Sequence, residues 1–358
     1  MKIKTYINIL ILGLIAFSCT KDDGIFVEDH FFDYEIPLVP VESNYTVGAF
    51  YNSFTWNAKI PESPAVGTYN TLLGDAVAYA KHVDQAKKGG IDYFLFGLRS
   101  TKTMAQFTSD QLFINTLQSA SNAGDMKFAI SYNFGSMGLA DKKEIETLSL
   151  VTVFLKDFEL MTPFFKMGNY MKIDGKCIVY IQNSHNLFSL DNAALYKQLR
   201  TQMSGLGVQL YIIGMQNEWT PPLRYDFRFV NGVDALTHST YANIGTDWYD
   251  RYLDIHKMCD QAWGYSKDKL AENGLEYIPT ISPSINPQIV NASAKFYKIE
   301  KNKQWFTDMC NVARRTTGPK QMILLDSFND WNRGTQIEAA ASYGDEYLTI
   351  LKEQFKVK

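Results

Sequence analysis

Eight apolar segments with β-strand composition recur along the chain, separated by longer stretches with helical periodicity. Their apolar residues are continuous rather than alternating, which is typical of strands that are covered on both faces. The segments are TVGAFY from Thr46, IDYFLFGL from Ile91, KFAISYNFG from Lys127, KCIVYIQ from Lys176, VQLYIIGMQ from Val208, VDALTHSTY from Val233, LEYIPTISPS from Leu275 and MILLDSFND from Met322. The pattern predicts about eight strands covered by helices.

The stretches between these segments carry apolar residues at helical spacing. One example is LLGDAVAYAKHVDQAKKGG, which ends on Gly89 and Gly90, as many helices do. Eight alternating strand and helix units predict an α/β fold consisting of a single (β/α)8 TIM barrel. A doubly wound open sheet is the alternative, but no glycine-rich nucleotide loop follows the first strand.

The N-terminus has the pattern of a targeting segment. Lys2 and Lys4 precede the apolar run INILILGLIAF, and the sequence AFSC ends at Cys19. This pattern resembles the lipobox of bacterial lipoproteins, which implies a signal peptide over 1–18, a lipidated N-terminus and tether over 19–44, and a barrel over 45–358. A secretory signal that ends near a cysteine by chance is the alternative.

The residues directly after Cys19 bear on localisation. Lys21, Asp22 and Asp23 resemble the export signal of Bacteroidetes surface lipoproteins, although an ordinary solvated charge cluster has the same composition. The resemblance implies anchoring to the outer membrane through the lipid at Cys19, with the barrel facing the cell exterior.

Composition and charge narrow the function classes. The net charge of -3 gives no basic surface for nucleic acid, so we expect no nucleic-acid partner. The five histidines are scattered and the cysteines lack C-x-x-C spacing, so we predict neither a metal site nor a cofactor. Aromatic residues make up 14% of the chain, which suits both a sugar-binding cleft and a barrel core.

Polar and aromatic side chains follow the predicted strands, where the loops of a barrel form its active site. A ring of amides, hydroxyls and aromatic rings with few charges suits the neutral hydroxyls of a carbohydrate, although loops are polar in any protein. The predicted substrate-binding residues are Tyr51, Trp56, Tyr132, Asn183, Trp219, His238, Tyr241, Asn329, Trp331 and Arg333.

The last strand and its loop, SFNDWNRGTQIE, resemble the strand-8 signature of the glycoside hydrolase family 71/99-like barrels, including their WbsX-type relatives. In that signature an asparagine, an acidic residue, a tryptophan and a second acidic residue precede GTxIE. GAFYNSFTWN and YMKIDGKCIVYI are similar to the same families, so the likeness spans roughly Val47 to Tyr347. It implies endo-acting hydrolysis of an α-linked polysaccharide, such as α-mannan, by two carboxylates near strand 8.

Asp330 matches the first acidic position of this signature, whereas Arg333 occupies the second, where the family enzymes carry the proton-donating acid. A guanidinium stays protonated and is a very poor general acid. Glu218, or next Asp326, could replace the missing acid, or Arg333 could bind an anionic group of the substrate. In the simplest alternative, Asp330 and Glu338 cap a helix, Glu218 is a solvated charge and Arg333 pairs with Asp330.

Two functions follow from these residues. The first is an endo-glycosidase with Asp330 as base or nucleophile and Glu218 as acid, and with aromatic residues forming a sugar platform. The second is a catalytically inactive barrel that retains polysaccharide at the cell surface for partner enzymes and glycan-import proteins. Only the enzyme needs a second carboxylate roughly 5 to 9.5 Å from Asp330.

Overall fold

The computed structural model describes residues 34–139, 143–216, 228–238, 255–294 and 298–357. The chain divides into two compact units, residues 1–37 and residues 38–358, and the second unit contains every strand and helix named below. Among the described residues, no helix combines the length and the apolarity that crossing a bilayer requires.

Ten strands form the sheet of the second unit. They are β1 (Thr46–Tyr51), β2 (Tyr93–Arg99), β3 (Lys127–Asn133), β4 (Lys172–Ile173), β5 (Lys176–Gln182), β6 (Leu210–Gln216), β7 (Ala235–His238), β8 (Glu276–Ile278), β9 (Thr280–Ile281) and β10 (Met322–Leu325). All neighbouring pairs are parallel except β4, which forms a short antiparallel pair with β5. Long parallel pairing requires crossover connections, which the helices supply.

The α-helices follow the strands in alternation. They are α1 (Ala76–Lys88), α2 (Met104–Gln118), α3 (Val151–Leu160), α4 (Thr162–Phe165), α5 (Asn192–Gly205), α6 (Ile255–Glu272), α7 (Lys303–Thr316) and α8 (Glu346–Phe355). Short 3₁₀ turns occupy Thr101–Thr103, Ala123–Asp125, Phe134–Met137 and Ser184–Asn186. Asp75 caps α1 by accepting the N–H groups of Val77 and Ala78, which explains where this helix begins.

The seventh predicted strand segment, which forms β8 and β9, brings the two ends of the sheet together. β8 pairs with β7 and β9 pairs with β10, and only Pro279 separates β8 from β9. Because proline has no N–H to donate, it interrupts the strand, yet both pieces belong to one continuous segment. The sheet is therefore a nearly closed barrel of eight strands surrounded by helices, which confirms the predicted (β/α)8 fold and excludes the open sheet.

Aromatic side chains fill the barrel. The hydroxyl groups of Tyr93 and Tyr180, which lie on two strands separated by β3, are 2.7 Å apart, and both residues are fully buried. Gly48 makes room for this packing, because a Cβ at that position would lie 2.3 Å from a ring carbon of Tyr93. Much of the aromatic content thus serves the core rather than a binding surface.

The segment before β1 contacts the barrel. The Val39 N–H donates to Asn311 Oδ1 at 2.9 Å, and Arg314 Nε donates to the Val39 carbonyl at 3.1 Å. Ser43 Oγ donates to Gln321 Oε1 at 2.7 Å. The last residues of the predicted tether are therefore hydrogen-bonded to α7 and to the turn before β10, while the division at residues 18 and 44 stays a prediction.

Candidate active site

The loop after β10 is held in one conformation by its own hydrogen bonds. Ser327 Oγ lies 2.9 Å from Thr335 Oγ1 and accepts the N–H of Asp330 at 3.0 Å. The N–H of Thr335 donates to the carbonyl of Asp330 at 3.2 Å. Gly334 has a φ of 66°, and a Cβ there would lie 3.2 Å from the backbone nitrogen of Asn286. Both the backbone angle and the close approach explain a glycine at this position.

Asp330 is half-buried on this loop, at the C-terminal end of the barrel. Its Oδ1 accepts the backbone N–H of Arg333 at 3.1 Å. Burial raises the pKa of this carboxyl above its ordinary value, the guanidinium of Arg333 lowers it, and the charge of Asp326 raises it. A carboxyl with a raised pKa can hold or release a proton closer to neutrality than an exposed one.

Arg333 directs its side chain toward Asp326 rather than pairing with Asp330. Its Nη2 lies 3.6 Å from Asp326 Oδ2, where the Asp326 side chain is only 6% exposed and the Arg333 side chain is 41% exposed. The charge of Asp326 raises the pKa of the guanidinium. Asp326, Asp330 and Arg333, called the charged trio below, therefore place one permanent cation beside two carboxyl groups.

Asn329 is fully buried and connects the last strand to the first. Its Oδ1 accepts the N–H of Asn52 at 2.7 Å, and its Nδ2 donates to the carbonyl of Asn52 at 3.2 Å. Both ends of the amide are therefore used by the backbone, and Asn329 fixes the junction between the loop and β1. Contact of this side chain with a sugar stays a prediction.

Glu338 lies at the centre of a buried network beneath the loop. Its Oε2 accepts Trp331 Nε1 at 2.8 Å and the hydroxyl of Tyr69. His82 Nε2 lies 3.0 Å from its Oε1, at ion-pair distance but without the alignment of a hydrogen bond. Tyr51 completes the network by contacting His82 Nδ1 at 2.9 Å. Glu338 therefore anchors the loop and does not cap a helix, since α8 begins eight residues later at Glu346.

Several predicted binding residues lie inside the protein. Tyr51 and Trp331 are almost fully buried, and burial together with the charge of Glu338 raises the pKa of Tyr51 well above its ordinary value. Tyr132 is fully buried and donates to Asp157 Oδ2 at 2.6 Å. His238 is also fully buried and contacts the hydroxyl of Tyr277 at 2.8 Å through Nε2. Direct contact of these four side chains with a sugar stays a prediction.

Two predicted binding residues are partly exposed in addition to Arg333. Trp56 is half-buried, and its ring centroid lies 5.9 Å from that of Trp331. Asn183 is half-buried, with a φ of 55° in the left-handed region at the end of β5. The structure therefore brings Trp56, Trp331 and Arg333 to one side of the barrel face, where the loops after β1 and β10 meet.

Other predicted residues lie outside the described part of the chain. These are Glu218, Trp219, Tyr241 and Cys19. Their roles as acid, as sugar contacts and as lipidation site stay predictions. Among the described residues, no group of three or more His, Cys, Asp or Glu side chains is arranged to hold a metal ion.

The comparison with known proteins identifies the family. The family model described as "Glycosyltransferase WbsX" matches residues 152–351, which is more than half of the chain. The chain belongs to the WbsX glycosyltransferase family. A solved structure described as a "Glycoside hydrolase-like protein" is 40% identical, with a TM-score of 0.84, and the match covers 92% of this chain and 99% of that one.

More distant structures share the fold of this WbsX-family chain. The GH99 endo-alpha-mannosidase from Bacteroides thetaiotaomicron has a TM-score of 0.62 at 14% identity, over 87% of this chain and 97% of that chain. A GH5_18 protein from Bifidobacterium longum subsp. infantis has a TM-score of 0.56 at 10% identity, over 88% and 80%. No curated protein matches. The predicted family 71/99-like barrel is therefore confirmed as a fold, and the chain is a glycosidase-like barrel.

Sequence reasoning missed the residues that support the loop. His82 lies on α1 and Tyr69 in the loop before it, and both reach Glu338 from more than 250 positions away along the chain. The signal that could have identified them is the GTQIE sequence itself, because a glutamate between apolar residues in a buried segment needs donors. Which residues supply those donors depends on tertiary contacts.

Proposed function

We propose that this WbsX-family barrel binds a polysaccharide at the C-terminal ends of its strands and hydrolyses an α-linked bond, such as that of an α-mannan. The observation that carries the proposal is the position of Asp330, a carboxyl on a hydrogen-bonded loop at the barrel mouth, beside the guanidinium of Arg333. Active sites of TIM barrels occupy this face. The 40% identity to a solved structure described as a glycoside hydrolase-like protein supports the assignment.

Hydrolysis of a glycosidic bond needs one carboxylate as base or nucleophile and one carboxylic acid as proton donor. Arg333 stabilises the anionic form of Asp330 electrostatically, which suits the first role. Glu218, two positions after the end of β6 along the chain, is the proposed acid. If the carboxyl groups are about 5 Å apart the reaction retains configuration, and at roughly 6.5 to 9.5 Å it inverts configuration.

Arg333 favours a second candidate function, a catalytically inactive barrel that only retains polysaccharide. The guanidinium stands where the related enzymes carry the acid, and Asp326 raises its pKa further. It cannot supply the proton that the leaving oxygen requires. Two oxygen atoms of one sugar could instead accept hydrogen bonds from the guanidinium of Arg333, which gives binding without cleavage.

The decisive experiment incubates the purified chain with α-mannans, α-glucans and acidic polysaccharides, and follows both oligosaccharide release and retention in an affinity gel. Release that is lost in Asp330→Asn but kept in the exposed control Asp268→Asn supports the hydrolase; the control side chain is 74% exposed on α6. Retention without release in the wild type supports the binder. Neither release nor retention on any polysaccharide would refute both functions.

We further propose that Cys19 is lipidated and anchors the barrel to the outer membrane, facing the cell exterior, where glycan-import proteins would take up the products. The basis is the lipobox-like AFSC sequence and the following Lys21 to Asp23. Fractionation of cells that express wild type or Cys19→Ala tests this anchor. We expect the wild-type protein in the membrane fraction and the Cys19→Ala protein outside it. On intact cells, added protease should digest the wild-type protein.

A further inference from the structure

A cavity of about 270 Å³ is lined in part by the loop after β10, the same loop that carries Asp330 and Arg333 of the charged trio. The loops after β1, β9 and β10 and the segments before α7 and α8 form its walls. Among the residues that line it are Glu62, Lys301, Trp331, Gln336 and Tyr343. None of the charged trio lines it, although Trp331, Gly334 and Gln336 come from the same loop.

Gln336 lines this cavity, and one atom of its side-chain amide has no partner. The residue is only 5% exposed, and its Oε1 has no hydrogen-bond partner in the described structure. Leaving a buried amide oxygen unpaired is unfavourable, so such an atom at the wall of a cavity indicates a ligand that donates a hydrogen bond. Hydroxyl and amine groups are such donors.

The charged side chains around the cavity already have partners. Lys301 Nζ donates to the carbonyl of Gln336 at 2.7 Å and lies 5.1 Å from the ring centroid of Tyr343. One oxygen of Glu62 accepts the N–H of Ser63 at 2.8 Å, and the other contacts the hydroxyl of Ser342. Glu300 pairs with Lys298. Since each charge already has a partner, the cavity suits a neutral ligand better than an anion.

The remaining walls are apolar and aromatic. Ile60, Ile289, Trp331 and Tyr343 are among the lining residues, and the half-buried ring of Tyr343 is more accessible than that of Trp331, which is only 1% exposed. The space is somewhat smaller than the pockets of roughly 300 to 1,000 Å³ that hold drug-sized ligands. A pyranose ring combines an apolar face, which packs on such rings, with hydroxyl groups that donate to an acceptor such as Gln336 Oε1. The volume suits one sugar ring rather than a chain.

We infer that this cavity is an accessory subsite that binds one neutral sugar unit of the glycan held at the charged trio. The inference rests on the proposed function and adds to it: one glycan chain would pass over the loop from Asp330 to Gln336. The loop then contacts the glycan on both sides, which also explains why Glu338 and Gly334 hold it so firmly.

The first test uses monosaccharides, so that it does not depend on finding the polysaccharide. Millimolar mannose, glucose and galactose are titrated into the full chain, and galacturonate serves as the anionic counterpart. The readout is the indole N–H signal of Trp331 in NMR spectra, assigned by its loss in Trp331→Phe. At least one neutral hexose should shift this signal in wild type and in Asp330→Asn, whereas galacturonate should not.

Two variants locate the binding site. Gln336→Leu removes the amide and should weaken hexose binding by about tenfold, the equivalent of one good hydrogen bond. Ser342→Trp places an indole in the cavity lining and should weaken binding at least as much by occupying the space. The matched controls are Gln304→Leu and Ser119→Trp, at exposed positions away from the cavity, which should bind as wild type does. No shift with any neutral hexose, or shifts that persist unchanged in both variants, would overturn the subsite.

The second test uses oligosaccharides of increasing length prepared from whichever polysaccharide the wild type retains. Affinity should rise with length in wild type, and Gln336→Leu should lose that gain while keeping the affinity for the shortest ligand. Loss of affinity at every length would mean that the substitution damages the main site. A hexose response at the cavity without any polysaccharide binding would refute the proposed function and leave a separate sugar site.

Discussion

Replacing Glu338 tests whether its buried network stabilises the loop that carries Asp330. The carboxylate is fully buried and accepts hydrogen bonds from Tyr69 and Trp331, with His82 3.0 Å away. Glu338→Leu keeps the volume but leaves both donors unpaired. Each unpaired donor costs about 1–3 kcal/mol, so we expect Glu338→Leu to cost about 2–6 kcal/mol for the two donors together.

Desolvation of the Glu338 carboxylate opposes the stabilising effect of its hydrogen bonds. Burying a carboxylate is itself expensive, and a leucine gains roughly 1.5–3 kcal/mol of apolar burial, so replacing a buried charge with an apolar residue is neutral in some proteins. We expect the lost hydrogen bonds to dominate, because Tyr69 and Trp331 cannot turn toward water. Glu338→Gln keeps an acceptor and loses only the charge, so it should cost about 2 kcal/mol.

The assay is guanidinium unfolding at pH 7, followed by tryptophan fluorescence and by far-ultraviolet circular dichroism. Coincident transitions and equal slopes for all variants are required before the free energies of unfolding are compared. The control is Glu353→Leu, at an exposed position of α8, which should change stability by less than about 0.5 kcal/mol. A Glu338→Leu protein as stable as wild type would show that desolvation of the carboxylate cancels its contacts.

Three further predictions concern the loop and its surroundings. Arg333→Met removes the charge that lowers the pKa of Asp330, so this pKa should rise further in an NMR titration of the carboxyl carbon; an unchanged pKa would refute the electrostatic role of Arg333. Burial lowers the pKa of Lys301 from 10.5 to about 7. The unfolded chain therefore binds more protons between these values, and the free energy of unfolding should rise from pH 7 to pH 9, less steeply in Lys301→Met than in the exposed control Lys303→Met. Gly334→Ala places a Cβ at a φ of 66° and should destabilise the chain by more than about 1 kcal/mol in the same unfolding assay; no loss would mean that the loop adapts.

Much of the fold could be predicted because the apolar patterns that indicate strands and helices extend over short stretches of sequence. The segment at Thr46 became β1 with the predicted bounds, and the segment at Lys176 became β5. Two predicted segments are longer than the strands that form from them, each for a local reason. Pro279 divides the segment at Leu275 into β8 and β9, and β10 ends at Leu325 because the next residues form a turn in which Ser327 and Thr335 are hydrogen-bonded. Closure of the barrel followed from counting strands.

Only part of the candidate site could be predicted from the sequence. Asp330 and Arg333 could be located from the loop sequence, because a motif keeps its spacing wherever it lies. The sequence could not say that the side chain of Arg333 faces Asp326, since three positions along a turn leave several directions open. It also could not separate Tyr51, which packs in the core, from Trp56, which is partly exposed, because both lie at the C-terminal end of β1.

The sequence by itself determined the strand and helix pattern, the barrel, the family and the replacement of an acid by Arg333, all of which depend on the order of residues over short distances. Only the tertiary structure decided that Glu338 supports the loop through Tyr69 and His82, and that the same loop lines a cavity together with residues before α7 and α8. Those features join residues that are far apart along the chain. Burial and hydrogen-bond partners exist only after such residues have been brought into contact.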